Sequence, residues 1–178
     1  LVSYRSRKTP AEIAKMREAV KKTEAILAEA LTPAVIVAGK TTEKDVADFI
    51  RKRRREMGLG ASWGDEHDPN VTAGRARGHS ASTDAVIHAG AVVHIDAGVD
   101  DAGYKTDVQR LAYVLRPGET AAPPEVQKAF DTVKAANRAA AAALKPGVKG
   151  NEVDAAGRRV ITEAGYHEFM HAAGHPIG

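Results

Sequence analysis

The sequence contains no cysteine. That absence excludes a disulfide framework, a cysteine–zinc site and a cysteine nucleophile. Aromatic residues are few, with one Trp, four Tyr and three Phe among 178 residues. Long apolar runs are missing as well. Stretches such as Ala34–Ala38 fall far below the roughly 18–20 residues that a membrane span needs. No signal peptide opens the chain, because the stretch from Lys8 to Lys22 is charged throughout. A cytoplasmic protein with no membrane partner is therefore expected. Neither sign of charge dominates: 26 Lys and Arg face 23 Asp and Glu, for a formal charge of +3 and a pI near 9.2. So small an excess carries little weight for nucleic-acid binding. What is present, 43% hydrophobic and 28% charged residues, excludes global disorder and collagen-like repeats. A chain of this length buries roughly 70% of its unfolded surface and suits one domain.

Local signals divide the chain into helices and strands. Thr9-Pro10-Ala11-Glu12 has a capping residue, a proline suited to the first turn and a glutamate that completes a capping box. Apolar residues from Ile13 to Leu31 recur near helical spacing until Thr32-Pro33 stops them. A second helix starts at Thr41–Asp45 and runs to about Met57-Gly58. Residues 58–74 read as loops around a short extended piece near Asn70–Ala73. Strand-like stretches follow at Ala91–Val99 and Tyr104–Leu115. An Ala-rich helix spans 124–144, and a last helix covers about Asn151–Ala164, with Gly165 in a C-cap position. No short-period repeat and no flexible linker appears, so one α+β domain is the working picture.

Arg51-Lys52-Arg53-Arg54-Arg55 has two readings. One is a nucleic-acid patch. The other is a solvated helix end, where cations favour the negative end of the dipole. Glu56 beside the run and the lack of an aromatic platform favour the second.

The chemistry concentrates in two strands. Val92–Gly98 and Tyr104–Arg110 flank the turn-rich stretch Val99–Gly103. A hairpin centred between Asp101 and Ala102 puts Asp96 opposite Asp107, with Cβ atoms about 4.5–5.5 Å apart. Val93, Ile95 and Ala97 then lie on the other, buried face. Two ionised carboxylates so placed repel. Either they share a proton and one pKa is raised, or a cation sits between them. On spacing alone, an exposed hairpin whose polar face carries Asp twice is the plainer reading.

Three of the seven histidines fall in Tyr166–Gly178. His171 and His175 are four apart, a spacing that shares a helix face. Gly174 weakens a helix there, and Pro176 biases His175 toward an extended backbone. The two are therefore expected in separate roles on a loop-to-strand transition. His79 lies in a Gly-flanked loop and is a third candidate. His67, His88 and His167 are read as surface or satisfied core residues. His94 shares the Asp96 face and is left unassigned.

Four ordered segments carry a family resemblance: Gly78-His79-Ser80-Ala81-Ser82-Thr83-Asp84, Val93–Gly98, Gly103–Arg110 and Phe169–Gly178. Together they resemble the successive signatures of the pita-bread metallopeptidases, the superfamily of methionine aminopeptidase, Xaa-Pro aminopeptidase and Xaa-Pro dipeptidase (prolidase). The resemblance covers nearly the whole chain. It implies the pita-bread α+β fold, incomplete in this chain. It also implies two divalent metal ions, with Asp96 holding one, Asp107 bridging both and His175 ligating the second through one ring nitrogen. His79 would position or protonate substrate and the tetrahedral intermediate, and His171 would line the pocket for its proline end. The family uses five ligand side chains, and its two glutamates follow the last motif. Residues 1–178 are therefore expected to be a catalytic domain lacking its C-terminal part, with no separate N-terminal domain.

Ser80–Asp84 after His79, together with the paired His171 and His175, leans toward the proline-specific branch. The expected activity is metal-dependent hydrolysis of Xaa-Pro bonds in dipeptides or short peptides. A methionine-aminopeptidase-like exopeptidase and a non-catalytic binding module of the same fold are the alternatives. Oxygen-rich ligands with one histidine suit manganese, with cobalt or zinc as the other candidates. The resemblance suggests a homodimer, with no nucleic-acid partner.

Overall fold

Two capping boxes start the first two helices of the computed structural model, which describes residues 7–64, 67–74 and 80–177. In α1, Pro10–Ala30, the Thr9 hydroxyl accepts from the Glu12 N–H at 3.3 Å, and the Glu12 carboxylate accepts from the Thr9 N–H at 2.7 Å. In α2, Glu43–Glu56, Thr42 and Asp45 repeat the exchange at 3.1 and 2.8 Å. Each box satisfies backbone donors that a helix start leaves open. The stripe Ala19, Thr23, Ile26, Leu27 and Ala30 buries one face of α1, and Val46, Ala47 and Ile50 bury one face of α2.

The helices pack with an antiparallel sheet of β1 (Asn70–Ala73), β2 (Val92–Ala97) and β5 (Val108–Tyr113), in the order β1-β2-β5. A two-stranded ribbon, β3 (Asp100–Asp101) with β4 (Tyr104–Lys105), extends the hairpin. The expected alternation holds: Val93, Ile95 and Ala97 are buried in the same cluster as Ile26, Leu27, Val46 and Val71. Glu43, at the start of α2, is fully buried. Its carboxylate accepts from the Ala73 N–H at 2.9 Å and from the Thr83 N–H and hydroxyl at 3.0 and 2.7 Å. This ties α2 to the end of β1.

The described chain divides into two compact units. The first holds α1, α2 and the strands. The second, Ala121–Pro176, holds α3 (Pro124–Ala143) and α4 (Gly150–Glu163). These helices pack closely because a Cβ at Gly157 would sit 3.3 Å from the Ala136 carbonyl oxygen. No helix among the described residues is long and apolar enough to cross a membrane.

The basic run at 51–55 departs from the solvated helix end that its composition suggests. Arg54 lies four residues beyond Ile50, on the buried face, and is 2% exposed. Its guanidinium pairs with the fully buried Asp68 at 2.9 Å. Arg53 pairs with Glu29 at 2.6 Å and with Glu56, and Arg51 pairs with Asp48 at 2.9 Å. The run thus serves the interior and the neighbouring helix as well as the surface. Removing one member of a buried pair strands the other charge, at a cost of about 3–5 kcal/mol. Arg54→Ala should lose about that much stability in urea denaturation. Exposed Arg55→Ala should stay within about 0.5 kcal/mol of the parent chain.

Candidate functional site

The hairpin turns one residue later than its sequence suggests. Asp101 pairs with Tyr104, which leaves Ala102 and Gly103 as a two-residue loop with φ of 54° and 89°. Positive φ at both central residues is the type I′ requirement, and it matches the twist of the flanking strands. The glycine adopts it freely. Ala102 does so at a cost of roughly 1–2 kcal/mol. The pairing partner therefore moves by two: Asp96 lies opposite Gln109 and Ala97 opposite Val108. Asp107 is not across from Asp96. It precedes β5 by one residue, diagonal to Asp96, and diagonal neighbours in sheets stand about 7–8 Å apart. A shift of two keeps each strand's faces unchanged, which is why the buried set is as expected while the opposed pair is not.

Asp96 is buried, 5% exposed, and Asp107 is half-buried. The backbone between them is crowded. A Cβ at Gly98 would lie 2.1 Å from the Thr106 carbonyl oxygen and 2.5 Å from Ser62 Cβ. Only glycine fits there. The Thr106 carbonyl accepts from the Ser62 hydroxyl at 2.6 Å. The Thr106 hydroxyl accepts from the Val99 N–H at 2.9 Å and shares a 2.8 Å hydrogen bond with the Thr23 hydroxyl of α1. All three side chains are buried. Asp68 accepts from the Ser62 N–H at 2.9 Å and the Gly98 N–H at 3.3 Å, while Arg54 donates to the Gly98 carbonyl at 3.4 Å. Sequence reasoning missed this polar cluster. Its partners are far apart in the chain, and half of them are backbone groups that leave no residue signal.

His94, on the polar face of β2, has a ring nitrogen 3.1 Å from the Gln109 amide oxygen. His67, His88 and His167 are exposed, in keeping with a surface assignment. His79 lies outside the described residues. His171 and His175 belong to the second unit and are both exposed. As Gly174 and Pro176 suggest, the described residues 166–177 form no helix. They form no strand either, so the expected loop-to-strand transition ends without its strand. Asp154 and Arg158 of α4 hold this segment. The Arg158 guanidinium, followed by the Ala173 N–H, keeps the Asp154 carboxyl below the usual carboxylate range. The structure thus gathers Asp96 and Asp107 at one hairpin and places His171 and His175 on one segment, each within its own unit. Among the described residues, no group of three or more His, Cys, Asp or Glu side chains is close enough to hold one metal ion. The chemistry of the donors nonetheless fits a divalent cation. Carboxylate oxygens suit hard ions, and imidazole nitrogens suit borderline ones.

Residues 14–178 match the model of metallopeptidase family M24. The chain is 28% identical over 174 residues to Xaa-Pro dipeptidase of Lactobacillus delbrueckii subsp. lactis, covering 96% of this chain and 45% of that protein. It is 33% identical over 101 residues to Xaa-Pro dipeptidase of Pyrococcus horikoshii, covering 56% of this chain and 27% of that one. Among solved structures, X-Pro aminopeptidase from Thermotoga maritima superposes with a TM-score of 0.79 at 29% identity, covering 92% of this chain and 44% of that one. Prolidase from Pyrococcus horikoshii gives 0.78 at 25% identity, covering 92% and 45%. The chain spans less than half the length of these relatives.

The crowding at Gly98 gives a direct test of the hairpin end. Gly98→Ala forces the two strands apart, and overpacking of this kind costs about 1–3 kcal/mol. The expected result is a lower urea midpoint with an unchanged slope. Gly150→Ala, where an added Cβ meets nothing within 4 Å, should leave the unfolding free energy within about 0.5 kcal/mol of the parent chain.

Proposed function

The chain belongs to metallopeptidase family M24, with its pita-bread α+β fold, and on that premise we propose that the protein carrying it hydrolyses Xaa-Pro bonds in dipeptides or short peptides. The observation that carries this reading is the placement of Asp96 and Asp107 at one hairpin end, in a chain alignable over 174 residues with an Xaa-Pro dipeptidase. Asp96 and Asp107 are assigned as metal ligands from the sheet, and His175 as the imidazole ligand. Residues 1–178 are assigned to the catalytic domain. A homodimer in the cytoplasm completes the reading.

The substrate sets the demands. An Xaa-Pro bond is a tertiary amide with no N–H, so the scissile unit cannot dock as an ordinary strand. Recognition falls to side chains around the proline ring, and His171 is assigned to that end. The leaving proline nitrogen needs a proton, and His79 is assigned to deliver it or to orient the group that does. Asp96, Asp107 and His175 would hold two divalent ions, which would supply Lewis acidity for the hydrolysis. Two carboxylates and one imidazole favour manganese, ahead of cobalt or zinc, because carboxylate oxygens suit that ion.

Asp107→Asn removes one negative donor while keeping the side-chain shape. In the protein that carries this chain, proline release from an Xaa-Pro dipeptide should become insensitive to added manganese and fall at least about 100-fold, or roughly 2.7 kcal/mol. Manganese binding by calorimetry should weaken in parallel. A chelator should abolish the parent activity, and manganese should restore it. Unchanged turnover in the variant would remove Asp107 from the metal site.

A further inference from the structure

Arg158 on α4 spends its guanidinium on one irregular segment. Nε pairs with the Asp154 carboxylate one turn earlier on the same helix. Nη1 donates to the Phe169 carbonyl, and Nη2 donates to the His171 carbonyl at 2.7 Å. The guanidinium carbon also lies 4.4 Å from the centre of the Phe169 ring. Asp154 completes the set by accepting from the Ala173 N–H at 2.8 Å. Two side chains one helical turn apart therefore take backbone groups from residues 169, 171 and 173 in alternation. An ordinary exposed i,i+4 ion pair does no more than support its own helix, by about 0.3–0.5 kcal/mol. Here the pair reaches into residues that have no helix or strand to satisfy their own backbone groups. The planar fork of Arg is needed for this, because acceptors on Asp154, Phe169 and His171, with Glu168 at 3.4 Å, are met in fixed directions. The ammonium of Lys is a compact charge on a flexible stem.

We propose that Asp154 and Arg158 are positioning residues that fix the path of Phe169–Ala173, and thereby set where His171 is presented and where the chain enters His175. The inference rests on the assignment of His171 and His175 to the active site. The Arg158 contacts turn two successive alternate carbonyls toward α4, and the Asp154 contact holds the Ala173 amide against the same helix. The His171 side chain is left exposed beside a restrained backbone. A histidine that recognises a substrate gains from such restraint, since the ordering cost is met before binding.

The test uses Arg158→Ala, Asp154→Ala, Arg158→Lys and the double alanine variant in the protein that carries this chain. Alanine is the best helix former, so α4 is expected to persist. Amide hydrogen exchange at Ala173 should rise at least about tenfold in both single alanine variants, with the Ile161 amide still protected. The imidazole resonance of His171 should shift. KM for an Xaa-Pro dipeptide should rise more than kcat falls. The double variant should be no worse than the more affected single variant, as expected of groups that act as one unit. Arg158→Lys should resemble Arg158→Ala. Full rescue by Lys, unchanged exchange at Ala173, or loss of protection at Ile161 in both single variants would each overturn the proposal. If the parent protein releases no proline from Xaa-Pro peptides, the assigned function falls. The exchange and imidazole measurements still decide whether the pair holds the segment.

Discussion

The buried pairing of Arg54 with Asp68 is the constraint on which the first unit depends. Side-chain exposures of 3% and 0% mean that both charges have left water. Burial pushes the Asp68 carboxyl above its ordinary range, and the Arg54 charge and the N–H groups of Ser62 and Gly98 pull against that shift. Such a pair adds little net stability over a well-packed apolar substitute, because desolvation consumes most of the Coulombic gain. What it contributes is selectivity among arrangements. Its hydrogen bonds are met together only when α2, the loop at Ser62, the approach to β1 and the end of β2 converge at Gly98. A slipped strand would leave a guanidinium and a carboxylate buried without each other.

From that junction the restraint passes to the carboxylates. Ser62 links it to the Thr106 carbonyl, and Thr106 links it to Thr23 on α1 and to the Val99 amide. Asp96 stands two residues before Gly98, and Asp107 one residue after Thr106. Both side chains thus branch from backbone whose neighbours are pinned on several sides. The diagonal rather than opposed placement matters electrically. Repulsion between two carboxylates falls with separation, so this pair is less unfavourable than directly facing aspartates would be. The left-handed loop at Ala102-Gly103 sets that diagonal, since it decides which residues of the two strands meet.

Local features were legible in the sequence, and distant ones were not. The capping box at Thr9–Glu12, the start of the second helix at Thr41–Asp45, β1 at Asn70–Ala73 and the end of the last helix near Gly165 depend on residues within a few positions of each other. Their chemistry can be read directly. The hairpin register was misplaced because Asp101, Ala102 and Gly103 are all turn formers, and periodicity cannot tell which two take positive φ. Arg54 was misread because its partner is fourteen residues away and a run of cations resembles a solvated face. The i,i+4 spacing of Asp154 and Arg158 is visible, but the carbonyls that they serve belong to the backbone and have no sequence signature. The family resemblance rested on ordered motifs. The order of those motifs does not depend on strand register.

The two units restrain their candidate residues in different ways. The aspartates are held by a polar cluster sealed from water, where screening by salt is weak. The histidine segment is held by an ion pair whose members keep 21% and 26% exposure, within reach of counterions. At physiological ionic strength, exposed charges are screened over about 8 Å, while buried pairs are much less affected. The aspartates are thus built as a fixed feature of the fold, and the histidine segment as an adjustable one.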